Sequence, residues 1–317
     1  MTNKYQNWIN EQIEAIRTVV KDDNVVLGLS GGVDSTVVAQ LLKLAIGKQL
    51  TAIFVNHGLL RKGEVDQVLS TFQNDPDMNF VYVDASDRFL GRLAQVSDPE
   101  EKRKIIGHQF IEEFKEVALK VDNVKWLAQG TIKADIMESG KEGHKHVKSH
   151  HNVGGLPESL PFKLLEPLVS LYKYEVRELG LELGISHDLI FRPPFPGPGI
   201  AIRIIGDITP DKIKLVQESD YIFRDELKKA NLHRTIWQYF TVLTDNKTVG
   251  VKEGARTYEY TIALRAVHSS DGLSAEFARI PYEVLENTSQ RIVSEVEGIN
   301  RVVYDITSKP PASIEWE

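Results

Sequence analysis

A short apolar run, Val25-Val26-Leu27-Gly28-Leu29, breaks directly into Ser30-Gly31-Gly32-Val33-Asp34-Ser35 and then into a helix-forming stretch over residues 36–46. An apolar run without polar alternation suits a strand buried on both faces, and such strands belong to parallel sheets covered by helices. Residues 50–55, 80–83 and 124–128 repeat the pattern, residues 164–165 offer a fifth short strand, and a helical pattern fills residues 105–119, opening near Asp98-Pro99. A further amphipathic helix carries Trp8, Ile9, Ile13, Ile16 and Val20. Strand and helix alternating at this spacing predict an α/β, doubly wound parallel sheet, whose ligands sit at the carboxyl ends of the strands.

The texture changes at Pro193-Pro194-Phe195-Pro196-Gly197-Pro198-Gly199, which cannot be helix or central strand. The division is expected just beyond it, with one domain over residues 1–207 and a smaller α+β domain over residues 208–317. The latter is expected to hold helices near 210–229 and 281–296 and strands near 258–266 and 302–306.

Consecutive glycines after a buried strand let successive backbone N–H groups converge, and the following helix adds its positive end, so Ser30 to Ser35 form an anion site out of main chain. Asp34 would repel a phosphate unless a cation such as Mg²⁺ lies between them. The plainer alternative is a strand-to-helix turn with Ser35 as N-cap. Asp135 and Glu138 are three apart and share a helix face, either as functional carboxylates or as acids at a helix start. Residues 141–157 hold His144, His146, His150 and His151 among lysines and glycines. A metal site is one reading; a lid bringing Lys148 onto a leaving polyphosphate is the other.

The chain has no cysteine. That excludes a disulfide framework, a thiolate zinc site and a cysteine nucleophile on this polypeptide. A net charge of −7 without a basic tail argues against a nucleic-acid partner. Without a signal-peptide pattern or a membrane-length apolar run, a cytoplasmic location with no membrane contact is expected.

Leu29 to Ser35 resembles the loop of the N-type ATP pyrophosphatases, which have an adenine nucleotide alpha hydrolase-like fold. His57-Gly58-Leu59-Leu60-Arg61, Lys102-Arg103-Lys104-Ile105-Ile106-Gly107, residues 148–157, residues 194–199 and Lys309-Pro310-Pro311-Ala312-Ser313-Ile314-Glu315-Trp316-Glu317 narrow the resemblance to the synthetase part of the GMP synthase family. The resemblance implies ATP-dependent amination of xanthosine monophosphate (XMP) to GMP through an adenylyl intermediate, releasing AMP and pyrophosphate. It implies ATP contacts from Gly28, Ser30, Gly31, Gly32, Val33, Asp34, Ser35, Val55, Phe110 and Gly130, with Asp34 on Mg²⁺. Asp135, Glu138 and Lys148 would serve the adenylyl step beside Asp34. Pro198, Gly199, Arg301, Lys309, Ile314 and Glu315 would bind XMP, and residues 208–317 would form a homodimer.

Family members with a glutaminase domain use a cysteine there, so ammonia is expected to arrive free, from a separate glutaminase subunit, or from a missing part of a longer protein. Lys133-Ala134 and Lys252-Glu253-Gly254-Ala255 depart from the usual pattern, and Arg256 receives no role. The rival readings are an amide-forming relative such as an NAD synthetase and a non-catalytic ATP-binding subunit. Removal of residues 309–317 is expected to abolish substrate binding and leave the fold intact.

Overall fold

The computed structural model describes residues 4–138, 161–270 and 272–317, with the side chains of residues 137 and 138 outside that description. The chain divides into two compact units, and the division interleaves the sequence: the first holds residues 1–57, 64–85 and 107–192, the second residues 58–63, 86–106 and 193–317.

The first unit is built on a parallel sheet of β1 (Asn24–Leu29), β2 (Leu50–Asn56), β3 (Asn79–Asp84), β4 (Val124–Ala128) and β5 (Lys163–Leu165), in the order β3-β2-β1-β4-β5. Every pairing is parallel, with Val26 opposite both Thr51 and Leu127. This is the doubly wound class expected from the alternation. The chain winds one way through β2 and β3 and then returns to the other side of β1, so the winding reverses between β1 and β4, where such sheets open a crevice.

Helix α1 (Gln6–Val20) buries Ile9, Ile16 and Val20, and α2 (Val33–Ile46) buries Val37, Val38, Leu41 and Leu42. The near-complete burial of α2 explains why it is apolar almost all round. α3 (Glu64–Phe72), α4 (Ser86–Leu93), α5 (Pro99–Ala118), α6 (Lys133–Glu138), α7 (Lys173–Glu182) and α8 (His187–Ile190) follow. Phe114 of α5 lies 3.6 Å from where a Cβ on Gly28 would stand, so the bare backbone of β1 is covered by an aromatic ring.

In the second unit, α9 (Pro210–Lys229) starts as its sequence requires: Thr209 caps it by accepting from the Lys212 N–H at 3.2 Å, and Pro210 opens the first turn. β6 (Gln238–Lys252) and β7 (Ala255–His268) form an antiparallel hairpin, joined by β8 (Glu276–Phe277) and by β9 (Ile299–Asp305), which runs parallel to β7. The hairpin turns on Glu253 and Gly254, both left-handed at φ 53° and 79°, as a two-residue turn of the twist-matching kind demands. α10 (Tyr282–Glu295) completes the α+β unit. Its core gathers Phe240, Val242, Ala263, Val267, Ala275 and Ile314.

β6 is not among the strands that the sequence pattern predicts. Its middle is a polar irregularity between Leu243 and Lys247, and its outer half is largely exposed, so the expected alternation is interrupted.

Candidate nucleotide-binding site

The loop after β1 and the loop after β4 meet at the sheet's reversal point. Gly31 has φ +70°, which brings the chain round sharply into α2. Within the loop, the Ser30 N–H donates to Ser35 Oγ at 3.3 Å, the Gly32 N–H donates to Ser30 Oγ at 3.3 Å, and the two hydroxyls are 3.1 Å apart. Gly32 occupies the N-cap of α2 without a side-chain cap, and Ser35 lies inside the first turn, donating to the Gly32 carbonyl. The alternative with Ser35 as N-cap is therefore corrected. A glycine cap leaves the first N–H groups of α2 without a side-chain acceptor, which suits an anion better than a serine cap would.

Gly130 closes this end. A Cβ there would lie 3.0 Å from Asp34 Cβ, 3.1 Å from its carbonyl carbon and 3.2 Å from the Ser35 nitrogen, so only glycine allows the two loops this approach. Asp34 is ion-paired: Lys173 Nζ, at the start of α7, lies 2.8 and 2.7 Å from its two carboxylate oxygens. The Arg192 guanidinium contacts the Gly31 carbonyl and the carboxylate of Glu64. Neither Lys173 nor Arg192 figured among the expected site residues, because each reaches the loop from over a hundred positions away, with no local spacing to mark it.

Val55 is buried at the carboxyl end of β2, Phe110 is half-buried on α5, and Val33 is buried at the start of α2. Asp135 sits in the first turn of α6, where its carboxylate accepts from the Ile132 N–H at 2.9 Å. Glu138 ends the same helix. Lys148 and the four histidines proposed as lid or metal ligands fall outside the described residues. Among the described residues no group of three His, Cys, Asp or Glu could hold a metal ion.

The residues expected to bind XMP lie in the second unit. Gly199, left-handed at φ +65°, opens a short 3₁₀ turn, Gly199–Arg203, directly after Pro198. The preceding proline-rich loop is braced by Arg61, which donates to the Pro194 carbonyl at 3.2 Å and lies 4.4 Å from the Phe195 ring centre.

The C-terminal tail is held by three buried cations. Arg203 makes a two-pronged contact with Glu315 (Nε at 3.1 Å, Nη2 at 2.9 Å), and Gln238 donates to the same carboxylate at 2.7 Å. Arg265 donates to the carbonyls of Thr307, Ser313 and Ile314. Lys102, fully buried, meets Glu317 at 2.5 Å and the Ile204 carbonyl at 2.7 Å. Burial lowers the Lys102 ammonium and raises the Glu317 carboxyl from their ordinary values. These contacts fix the tail to the second unit rather than leaving it as a free chain end. The structure argues against the expectation that residues 309–317 could be removed without harm to the fold, since their loss would take the carboxylate partners from buried Arg203 and Lys102.

Lys309 pairs with Ala275 and donates to the Gly272 carbonyl at 2.7 Å, while the Ile314 side chain belongs to the core. Arg301 is elsewhere. It stands opposite Thr261 on β7, whereas Phe277 of β8 stands opposite Val267. The six residue steps from 261 to 267 span about 20 Å at about 3.4 Å per residue. One copy of the chain thus gathers Lys309 and Glu315 at one end of the sheet and leaves Arg301 toward the other.

The family described as "GMP synthase C terminal domain" matches residues 225–316, and that described as "NAD synthase" matches residues 1–89. The glutamine-hydrolyzing GMP synthase of Lactiplantibacillus plantarum is 59% identical over 98% of this chain, and that of Listeria welshimeri 57% identical over 98%. The chain corresponds to the synthetase portion of the GMP synthases. It spans 60% of the length of those two curated relatives. A solved NH3-dependent NAD synthetase from Campylobacter jejuni aligns with 59% of the chain and 76% of its own at a TM-score of 0.43 and 20% identity. Against this GMP synthase background the sites divide by unit: the glycine loop, Gly130 and Asp135 belong to the first, and the proline-rich loop and the tail to the second.

Proposed function

We propose that the chain catalyses ATP-dependent amination of XMP to GMP. ATP would transfer its adenylyl group to the 2-oxygen of XMP, pyrophosphate would leave, and ammonia would displace AMP. The observation that carries this reading is the Ser30 to Ser35 loop at the reversal of a parallel sheet, in a chain 59% identical to a GMP synthase over nearly its whole length. Such a reaction needs positioning and charge stabilisation more than a covalent nucleophile, and main-chain amides pointing at an anion supply both.

In this reading residues 1–207 form the pyrophosphatase domain and residues 208–317 the XMP-binding and dimerisation domain. Gly28, Ser30 to Ser35, Val55, Phe110 and Gly130 hold ATP, and Asp34, Asp135, Glu138 and Lys148 serve the adenylyl step. Pro198, Gly199, Lys309, Ile314 and Glu315 receive XMP, and Arg301, distant in the same sheet, is offered to the site of a second copy in a homodimer. Mg²⁺ fits the donor set at Asp34, because this ion uses one or two carboxylates and takes its remaining ligands from phosphates and water. It would supply positive charge against the departing pyrophosphate, and Lys173 would hand over or share the Asp34 carboxylate when it binds.

Ammonia would come free in solution, from a separate glutaminase subunit, or from a portion corresponding to the remaining length of the relatives. No helix among the described residues is long and apolar enough to cross a membrane. The test is an assay with ATP, Mg²⁺ and ammonium, following pyrophosphate and GMP with XMP and, separately, with deamido-NAD. XMP-dependent pyrophosphate release with GMP formation is expected. Release with deamido-NAD alone would favour an NAD synthetase, and none with either a non-catalytic binding subunit.

A further inference from the structure

The Gly31–Gly32 peptide decides whether the loop offers an N–H or a carbonyl to an anion. In a trans peptide the carbonyl and the following N–H point to opposite sides, so fixing one fixes the other. Between two glycines this plane has little intrinsic preference, since glycine occupies both signs of φ at similar cost. Within the loop the 3.3 Å bond from the Gly32 N–H to Ser30 Oγ holds it weakly, so a firmer hold has to come from outside.

Arg192 meets that need. One arm of its guanidinium takes the Gly31 carbonyl, and the other takes the Glu64 carboxylate. The Gly32 N–H is thereby turned the other way, where it donates to Ser30 Oγ at 3.3 Å. Glu64 and Arg192 side chains are only 3% and 13% exposed, and a Cβ on Gly31 would stand 3.6 Å from Glu64 Oε1 and 3.7 Å from Arg192 Nη1. A buried ion pair is costly to desolvate and contributes little net stability compared with apolar packing. Its placement against a glycine carbonyl gives the charge a directional task.

We infer that Arg192, steadied by Glu64, is a positioning residue that locks the Gly31–Gly32 peptide with its N–H available to a phosphate oxygen. When Arg192 is lost, the plane is free to flip and present a carbonyl oxygen, which repels the anion. The inference rests on the reading above that this loop takes the pyrophosphate of ATP.

The test compares the full-length chain with Arg192→Met, Arg192→Lys, Glu64→Gln and the double variant Glu64→Gln/Arg192→Met. Magnesium pyrophosphate and ATP are titrated by calorimetry, thermal melts report folding, and the Gly32 amide is followed by NMR in glycine-labelled protein. R192M is expected to weaken pyrophosphate at least tenfold, E64Q several-fold, and the double variant no more than R192M, because both act through one peptide. R192K should recover part of the loss. In the wild type the Gly32 amide should shift on adding pyrophosphate; in R192M that response should vanish. A lower melting temperature with unchanged affinity and an unchanged Gly32 response would reduce the pair to packing and overturn the inference. If R192M fails to fold, E64Q, nearly the same shape, decides it by the same readouts. If the wild type binds neither pyrophosphate nor ATP, the phosphate reading itself falls, and the inference with it.

Discussion

Lys173 Nζ bridges both carboxylate oxygens of Asp34, at 2.8 and 2.7 Å, so the acid expected to meet a metal already carries a cation. The pair is partly exposed, and such pairs are worth up to about 1 kcal/mol, or about fivefold in an equilibrium constant. Lys173→Met should therefore tighten Mg²⁺ binding to the nucleotide-free protein by up to that factor, as read by calorimetry. Unchanged or weaker metal affinity would show that Asp34 and the metal do not compete through Lys173.

Gly130→Ala pushes a methyl group into Asp34 and Ser35, atoms of the loop and helix start that have little room to move. Overpacking of this kind costs about 1–3 kcal/mol. The expected result is a folded protein with a lowered urea midpoint and at least tenfold weaker ATP binding. Full ATP affinity would mean that the two loops need not touch.

Glu317→Gln removes the charge facing a fully buried Lys102. Leaving one member of a buried pair costs about 3–5 kcal/mol, whereas replacing both with apolar residues is often neutral. Chemical denaturation should show that loss for E317Q and recovery in the double variant Lys102→Met/Glu317→Met. Equal stability of E317Q and wild type would contradict the anchoring of the tail.

Much of this arrangement was legible beforehand. The parallel sheet followed from uninterrupted apolar runs, α9 from the helical pattern after Pro210, and the sharp turn between β1 and α2 from paired glycines after a buried strand. The cations that hold these parts in place were not. Lys173, Arg192, Arg203 and Arg265 act across large sequence separations on carbonyls and single carboxylates, leaving no periodicity or spacing. α3 and α4 were passed over because each is short and mostly polar.

His57 is buried, and that burial pulls its imidazole down from 6.5 to about 4, against a smaller opposing pull from Glu64. The folded protein keeps it neutral while the unfolded chain takes up a proton below about 6.5. Stability should thus fall as pH drops from about 6.5 to about 4, by about 1.4 kcal/mol per unit, and show no His57 contribution to the slope above that window. Denaturation midpoints across this range, compared with His57→Gln, should show a shallower acid slope in the variant. An identical slope would place the acid sensitivity elsewhere.

The most direct measurement is the fate of the XMP 2-oxygen. With ¹⁸O at that position, ATP, Mg²⁺ and ammonium, AMP recovered alongside GMP should carry the label, because the adenylyl group leaves with the oxygen it activated. Unlabelled AMP, or pyrophosphate released without GMP, would contradict adenylylation of XMP on this chain.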